Sequence, residues 1–239
     1  METIDKTVEN AISRLNRLVD LPPTTVSEIT ITLVCPNCGT ERERKEKERW
    51  GKNERRTLEC DNCSTTRRVS KFNQTCPLLY QESEAIRLPQ AQLRQVMDWT
   101  FGTKGLLLIG ATGKGKSRIA WKLLRRVLCE DKPERAFLWF DCIGFGHEIA
   151  RHYRLEDAEQ WLDRVAETPL LYLDDLGKLK LTERAETELF GLIERRCANQ
   201  LPMIVTTNDT GDSLAARMTE NRGPALVRRL REFCHVITF

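Results

Sequence analysis

The residues Gly110-Ala111-Thr112-Gly113-Lys114-Gly115-Lys116-Ser117 fit the pattern G-x-x-x-x-G-K-[ST] at every fixed position. Glycines at this spacing let a backbone curl until successive N–H groups face one point, which suits phosphate oxygens. A lysine closing such a loop reaches β- and γ-phosphates, and the hydroxyl after it is a Mg²⁺ ligand. The eight residues, with Arg118 behind them, are therefore the candidate ATP-binding residues. A nucleotidase also needs an acidic group at the end of a buried strand, and Leu170-Leu171-Tyr172-Leu173-Asp174-Asp175 supplies two. Asp174 is expected to hold Mg²⁺ with Ser117, and Asp175 to orient or deprotonate the attacking water.

These groups need a frame. From residue 105, short apolar runs alternate with longer amphipathic segments. The runs Gly105–Ile109, Ala136–Phe140, Leu170–Leu173, Met203–Thr206 and His235–Phe239 have the continuity of strands buried on both faces. Segments 117–129, 144–166, 182–199 and 223–232 suit crossover helices, so the layout is α/β. The glycine loop follows the first run and opens the first helix, the context its pattern requires. Upstream, 90–101 reads as a short helix, and 28–34 as an alternating β-branched strand. Ile4, Val8, Ile12, Leu15 and Val19 form a helical stripe, which Pro22 and Pro23 end.

A second chemistry sits before this frame. Of nine cysteines, four fall in Cys35-Pro-Asn-Cys38 and Cys60-Asp-Asn-Cys63, with residues 39–59 between the pairs. Two pairs in a small charged segment read as a four-cysteine Zn²⁺ ribbon; disulfide or redox chemistry is the alternative. Gly39 suits a tight knuckle, whereas Ser64 departs from that pattern in the second pair. Cys76 is a further ligand candidate, set below these four. A ribbon this small needs its metal to fold.

The chain has 239 residues, 40% hydrophobic and 31% charged, enough for one ordinary domain plus a small one. No run approaches 18 apolar residues, and the N-terminus lacks a secretory pattern, so a cytoplasmic chain without a membrane span is expected. Net charge is +3, but residues 41–71 hold eleven Lys/Arg against seven Asp/Glu. Such a run is either a solvated face or a nucleic-acid contact. His147, His152 and His235 lack metal-ligand partners at suitable spacing and read as structural or surface residues.

Over about residues 76–239 the chain resembles the AAA+ ATPases, and within them the DnaC-type helicase loaders and IstB-type transposition helpers. The resemblance rests on Gly110–Ser117, on Leu171-Tyr-Leu-Asp-Asp-Leu-Gly177, on Ile193-Glu-Arg-Arg196 before Leu201-Pro-Met-Ile-Val-Thr-Thr-Asn208, and on Leu226-Val-Arg-Arg-Leu-Arg231. It implies a P-loop AAA+ core with a five-stranded parallel sheet. It also implies Asn208 as the residue sensing the γ-phosphate or the water, and Arg229 as an arginine finger acting on a neighbouring subunit, with Arg228 and Arg231 as competitors. The bland reading of these arginines is a solvated face or a DNA-backbone contact. ATP-dependent homo-oligomerisation follows from the resemblance. Because the chain stops at Phe239, where the last run ends, no C-terminal lid is expected. That favours the loaders and implies slow hydrolysis, stimulated by DNA or a partner; Asp175 in place of glutamate slows it further.

The expected organisation is an amphipathic helix over 1–23, a zinc-ribbon-like domain over 24–75 and the ATPase core over 76–239. The helix either packs on the ribbon or docks on a partner. Three functions compete. One is a loader that binds single-stranded DNA and delivers a replicative helicase. Another is a transposase helper acting on double-stranded DNA. The third is a zinc-dependent adaptor that uses ATP as a conformational switch.

Overall fold

The computed structural model describes residues 28–47, 56–81, 88–102, 104–131, 136–178, 180–219 and 221–239. The helix expected over 1–23 lies outside them. Chain contacts divide the protein into Met1–Ser64 and Thr65–Phe239. The expected domain boundary at 75/76 therefore differs from the observed division at 64/65. The reason is one helix, Asp61–Thr75, which begins at the second cysteine pair and places Val69 and buried Phe72 in the core of the second unit.

In the first unit, β1 (Glu28–Val34) and β2 (Glu41–Lys47) form an antiparallel hairpin, with Val34 opposite Glu41. β3 (Arg56–Thr57) pairs parallel to β1. The alternation of β1 turns Ile31, Leu33 and Cys35 inward, where all three are buried. The hairpin loop is the first cysteine knuckle: the Gly39 N–H donates to the Cys35 carbonyl at 2.9 Å, and Gly39 has φ 72°. The second knuckle is built differently. Cys63 lies in the first turn of α1 (Asp61–Thr75), and the Ser64 N–H donates to the Cys60 carbonyl at 2.9 Å. A helical residue needs no left-handed backbone, so serine serves where the first knuckle uses glycine. Arg42 ties β2 to the second knuckle through the Asp61 carboxylate and the Glu59 carbonyl, both at 3.2 Å.

The second unit continues with α2 (Leu78–Gln81), α3 (Gln90–Met97), β4 (Gly105–Ile109) and α4 (Lys116–Arg126), which ends in a π-turn over Val127–Asp131. Then follow β5 (Phe137–Asp141), α5 (Cys142–Arg154), α6 (Ala158–Glu167), β6 (Leu170–Leu176), α7 (Glu183–Ala198), β7 (Met203–Thr207), α8 (Gly211–Ala216), α9 (Gly223–Phe233) and β8 (Cys234–Thr238). The strands form a five-stranded sheet in the order β5-β6-β7-β4-β8. Every pairing is parallel.

Strand alternation splits the core into two layers, one on each face. Leu106, Leu108, Leu170, Tyr172 and Ile204 join the layer with α3 and α4. Leu107, Leu171, Leu173, Met203 and Val205 join the layer with α5, α6, α7 and α9. Each fully buried leucine or isoleucine here contributes about 1.5–3 kcal/mol. Trp121 of α4 centres the first layer, meeting Trp139 at 5.2 Å and Tyr172 at 5.5 Å edge to face.

The segment 144–166, expected as one helix, is broken between α5 and α6. Glu156 takes a left-handed φ of 59°, and buried His152 reaches across the break to the Asp157 carboxylate at 2.6 Å while stacking on Trp161. His152 is thus a structural residue. A buried arginine was not anticipated as a fold element. Arg196, 0% exposed, donates to the carbonyls of Val165, Ala166, Thr168 and Pro202 at 2.8–3.0 Å. It caps the carboxyl end of α6 and fixes the entry to β7.

Candidate functional site

The carboxyl ends of β4, β6 and β7 open onto one crevice, the usual ligand position in open parallel sheets. Gly113 (φ 81°) and Gly115 (φ 89°) take left-handed conformations, which curl the loop so that α4 starts at Lys116 with its amino end in the crevice. Gly110 (φ 151°) lies against the Phe239 backbone so closely that a β-carbon would come within 2.5 Å of the Phe239 carbonyl oxygen. Lys116 is 4% exposed. Its amine donates to the Gly110 carbonyl (2.7 Å), the Ala111 carbonyl (2.9 Å) and Asn208 Oδ1 (2.8 Å). Burial lowers its pKa, and the nearby carboxylates of Asp175 and Asp174 act against that shift.

Adjacent residues of a regular strand point to opposite faces. Asp174 and Asp175 escape this rule because β6 bulges against β7: Leu173 pairs with Val205, but Leu176 pairs with Thr207. Asp175 takes a left-handed φ of 53°. Asp174, 7% exposed, accepts from Ser117 Oγ at 2.8 Å and Thr206 Oγ1 at 2.5 Å. The Asp175 carboxylate, one-quarter exposed, accepts from the Lys178 amine at 2.8 Å. Its backbone N–H donates to Thr206 Oγ1 at 2.9 Å. Thr206 therefore holds both acidic residues in place. Sequence reading placed it only as a strand residue; its position across from the bulge was not encoded in any motif. The Ser117–Asp174 pair offers a hydroxyl and a carboxylate oxygen together, a donor set suited to Mg²⁺.

A cleft of about 690 Å³ covers this group, a size that suits a nucleotide. Lys116, Ser117, Asp175, Lys178 and Asn208 line it together with Leu79, Tyr80 and Leu88, and Tyr80 lies beside Ser117. The apolar part of the lining was missed at the sequence level, although Leu78-Leu79-Tyr80 is an apolar triplet outside the sheet runs. Tyr80 stacks on Trp121, and Leu79 is 62% exposed. Arg118 donates to the Leu79 carbonyl at 3.1 Å, so it sits at the mouth of the cleft, joined to that apolar segment.

Arg229 is not gathered into the cleft. Its guanidinium binds Glu194 at 2.7 Å and Glu232 at 3.3 Å, both in its own chain. Arg228 and Arg231 line a groove with Gly211 of α8 and Val227 of α9.

The four cysteines of the first unit converge, with their sulfurs all within 4.8 Å of one another. Cys38 and Cys60 lie 3.5 Å apart. Four thiolates on a tetrahedral Zn²⁺, with bonds of about 2.3 Å, sit roughly 3.8 Å apart, so the set fits that ion. The Cys35 thiol is pulled down to about 6, first by the Cys60 backbone N–H. The Cys63 thiol is pushed up to about 12, first by its hydrogen bond with Cys38. Thiols this crowded cannot all ionise without a cation among them. Cys76 lies apart, buried in the second unit, where burial pushes its thiol up to about 11.

A family model described as a domain of unknown function (DUF7836) matches residues 26–79, the window holding both cysteine pairs. The chain is 28% identical over 117 residues to the replicative helicase loader DnaI of Bacillus subtilis (strain 168). That match covers 48% of this chain and 37% of DnaI, so the chain spans little more than a third of this relative. A crystal structure of the DnaC helicase loader superposes with a TM-score of 0.53 at 24% identity, covering 71% of this chain and 98% of that one. AMPPCP-bound DnaA from Aquifex aeolicus gives 0.52 at 16% identity, covering 66% of this chain and 47% of that one. The second unit thus shares its fold with the DnaC helicase loader and with AMPPCP-bound DnaA.

Proposed function

We propose that this chain is an ATP-dependent AAA+ protein of the helicase-loader type, acting on DNA together with a replicative helicase. The observation that supports it most is the meeting of Lys116, Ser117, Asp174, Asp175 and Asn208 at a nucleotide-sized cleft, in a fold shared with DnaC. The 28% identity with the DnaI loader favours loading over the other two readings.

In this reading the phosphates of ATP lie along Gly110–Ser117. Lys116 exchanges its two loop carbonyls for phosphate oxygens and stays beside Asn208. Leu79 and Leu88 give the base an apolar seat. Mg²⁺, held by Ser117 and Asp174, would neutralise charge on the phosphates. Asp175 takes the proton of the attacking water. The water oxygen bonds to the γ-phosphorus, the bond from phosphorus to the β–γ bridging oxygen breaks, and ADP and phosphate are released. Arg229 leaves Glu194 and Glu232 to stabilise that charge on a neighbouring copy. Zn²⁺ on Cys35, Cys38, Cys60 and Cys63 gives the first unit a fixed shape, which with residues 1–23 forms the partner-binding region.

Mixing the purified protein with its host's replicative helicase, with and without ATP, and measuring mass by light scattering tests the reading. A defined complex that changes with nucleotide is expected. Absence of any complex under both conditions would leave the nucleotide site standing and move the assignment to a transposase helper or an adaptor.

A further inference from the structure

The turn after the acidic pair places a cation that neither the phosphate-loop pattern nor the strand pattern anticipates. Gly177 has φ 87°, and a β-carbon there would meet Leu214 at 2.7 Å and Asp209 at 2.8 Å. Only glycine fits, and the chain turns back sharply: the Lys178 N–H donates to the Asp175 carbonyl at 3.0 Å, and the Lys178 amine meets Asp175 Oδ2 at 2.8 Å. Lys178 thus lines the cleft with Lys116 and Asn208. Three carboxylates face it: Asp175 in contact, then Asp141 and Asp174, which are paired across β5 and β6. Its proton is held more firmly than an ordinary lysine's, first by the hydrogen bond to Asp175.

Two properties make this pair exchangeable. The lysine is 55% exposed, and a half-exposed ion pair is weakly held. Lysine is also a compact charge on a flexible stem, able to change partner without moving the backbone. A γ-phosphate entering the cleft carries more charge than the carboxylate. Charge-assisted bonds to it are stronger than an exposed pair. A diphosphate lacks that group.

We propose that Lys178 senses the terminal phosphate: it rests on Asp175 when the cleft lacks a triphosphate and moves to the γ-phosphate when one is bound, so that the chain distinguishes ATP from ADP. This rests on the ATP-site reading above. Once the amine has moved, Asp175 is left open to water only in the triphosphate state.

The test uses the full zinc-loaded chain and titrates two probes by competition with a fluorescent nucleotide: the non-hydrolysable triphosphate AMPPCP, and ADP. Lys178→Gln should weaken AMPPCP about ten- to hundredfold, the range for a lost charge-assisted bond. ADP should stay within about twofold, and Lys178→Arg should recover most of the loss. Asp175→Asn frees the amine and should tighten AMPPCP severalfold; the double variant should lack that gain, because the lysine that profits is gone. Equal losses for both probes, or an unchanged AMPPCP affinity, overturns the proposal. So does a gain from Asp175→Asn that survives in the double variant, since simple repulsion would then explain it. Lys116→Ala should lose both probes. A wild type that binds neither nucleotide removes the ATP-site reading itself, an outcome distinct from failure at Lys178 alone.

Discussion

At the scale of single residues, the site depends on a threonine as much as on its acids. Thr206 donates to Asp174 and accepts from the Asp175 N–H, at 2.5 and 2.9 Å. Valine keeps the shape and removes both bonds, leaving the part-buried Asp175 N–H without its acceptor and Asp174 Oδ1 with Ser117 as its remaining donor. Thr206→Val should cost about 1–3 kcal/mol in urea unfolding and lower turnover more than nucleotide affinity. A variant with wild-type turnover would show that the bulge holds itself. The meeting of Lys116, Ser117 and Asp174 was legible because two motifs fix their order along the chain, and that of Asn208 was implied by the family resemblance. Thr206 and Lys178 were not, because their role comes from the bulge and from the turn at Gly177, which pattern rules for strands do not describe. Leu79 and Tyr80 escaped for another reason: apolar residues outside a periodic run carry no signal of what they face, whether exposed like Leu79 or half-buried like Tyr80.

At the scale of elements, strand positions followed from apolar continuity, and the five runs proved to be the five strands within a residue or two, β6 excepted, which runs on through the acidic pair to Leu176. The helix over 144–166 did not, since its apolar spacing continues through a break made by one left-handed residue and the His152–Asp157 contact. Arg196 shows a similar limit. A charged residue in an amphipathic helix reads as surface, yet here four carbonyls surround it, and burial brings its pKa down to about 10. Arg196→Met should destabilise the second unit by about 3–5 kcal/mol, because four buried carbonyls lose their donor. A thermal melt within about two degrees of wild type would refute that account. In the first unit, elemental analysis should find about one zinc per chain, and chelation or Cys35→Ser should remove metal and the far-UV signal of the β1–β2 hairpin together. A folded, metal-free wild type would exclude the zinc reading.

At the scale of the whole molecule, Arg229 has to choose between partners. In the single chain Glu194 and Glu232 hold it. A finger acting across subunits predicts that Arg229→Ala retains ATP binding and loses DNA-stimulated turnover. It predicts too that mixing it with Asp175→Asn protein restores part of the activity at hybrid interfaces, where an intact finger meets an intact Asp175. Turnover that stays at the sum of the two variants at every mixing ratio argues for the intrachain pairs as the residue's whole purpose. Alignment on the closing strand ranks Arg229 ahead of Arg228 and Arg231, although all three lie within four residues of one helix. Among the described residues no helix is long and apolar enough to cross a membrane.

The Phe239 backbone lies against Gly110, and its N–H donates to the Ile109 carbonyl at 2.8 Å, immediately before the phosphate loop. Anything that pulls on the carboxyl end of β8 therefore pulls on the first glycine of that loop. Cargo, a fused tag or a neighbour attached there would act as a lever whose short arm is the nucleotide cradle, so tension at that end and occupancy of the cleft should report on each other.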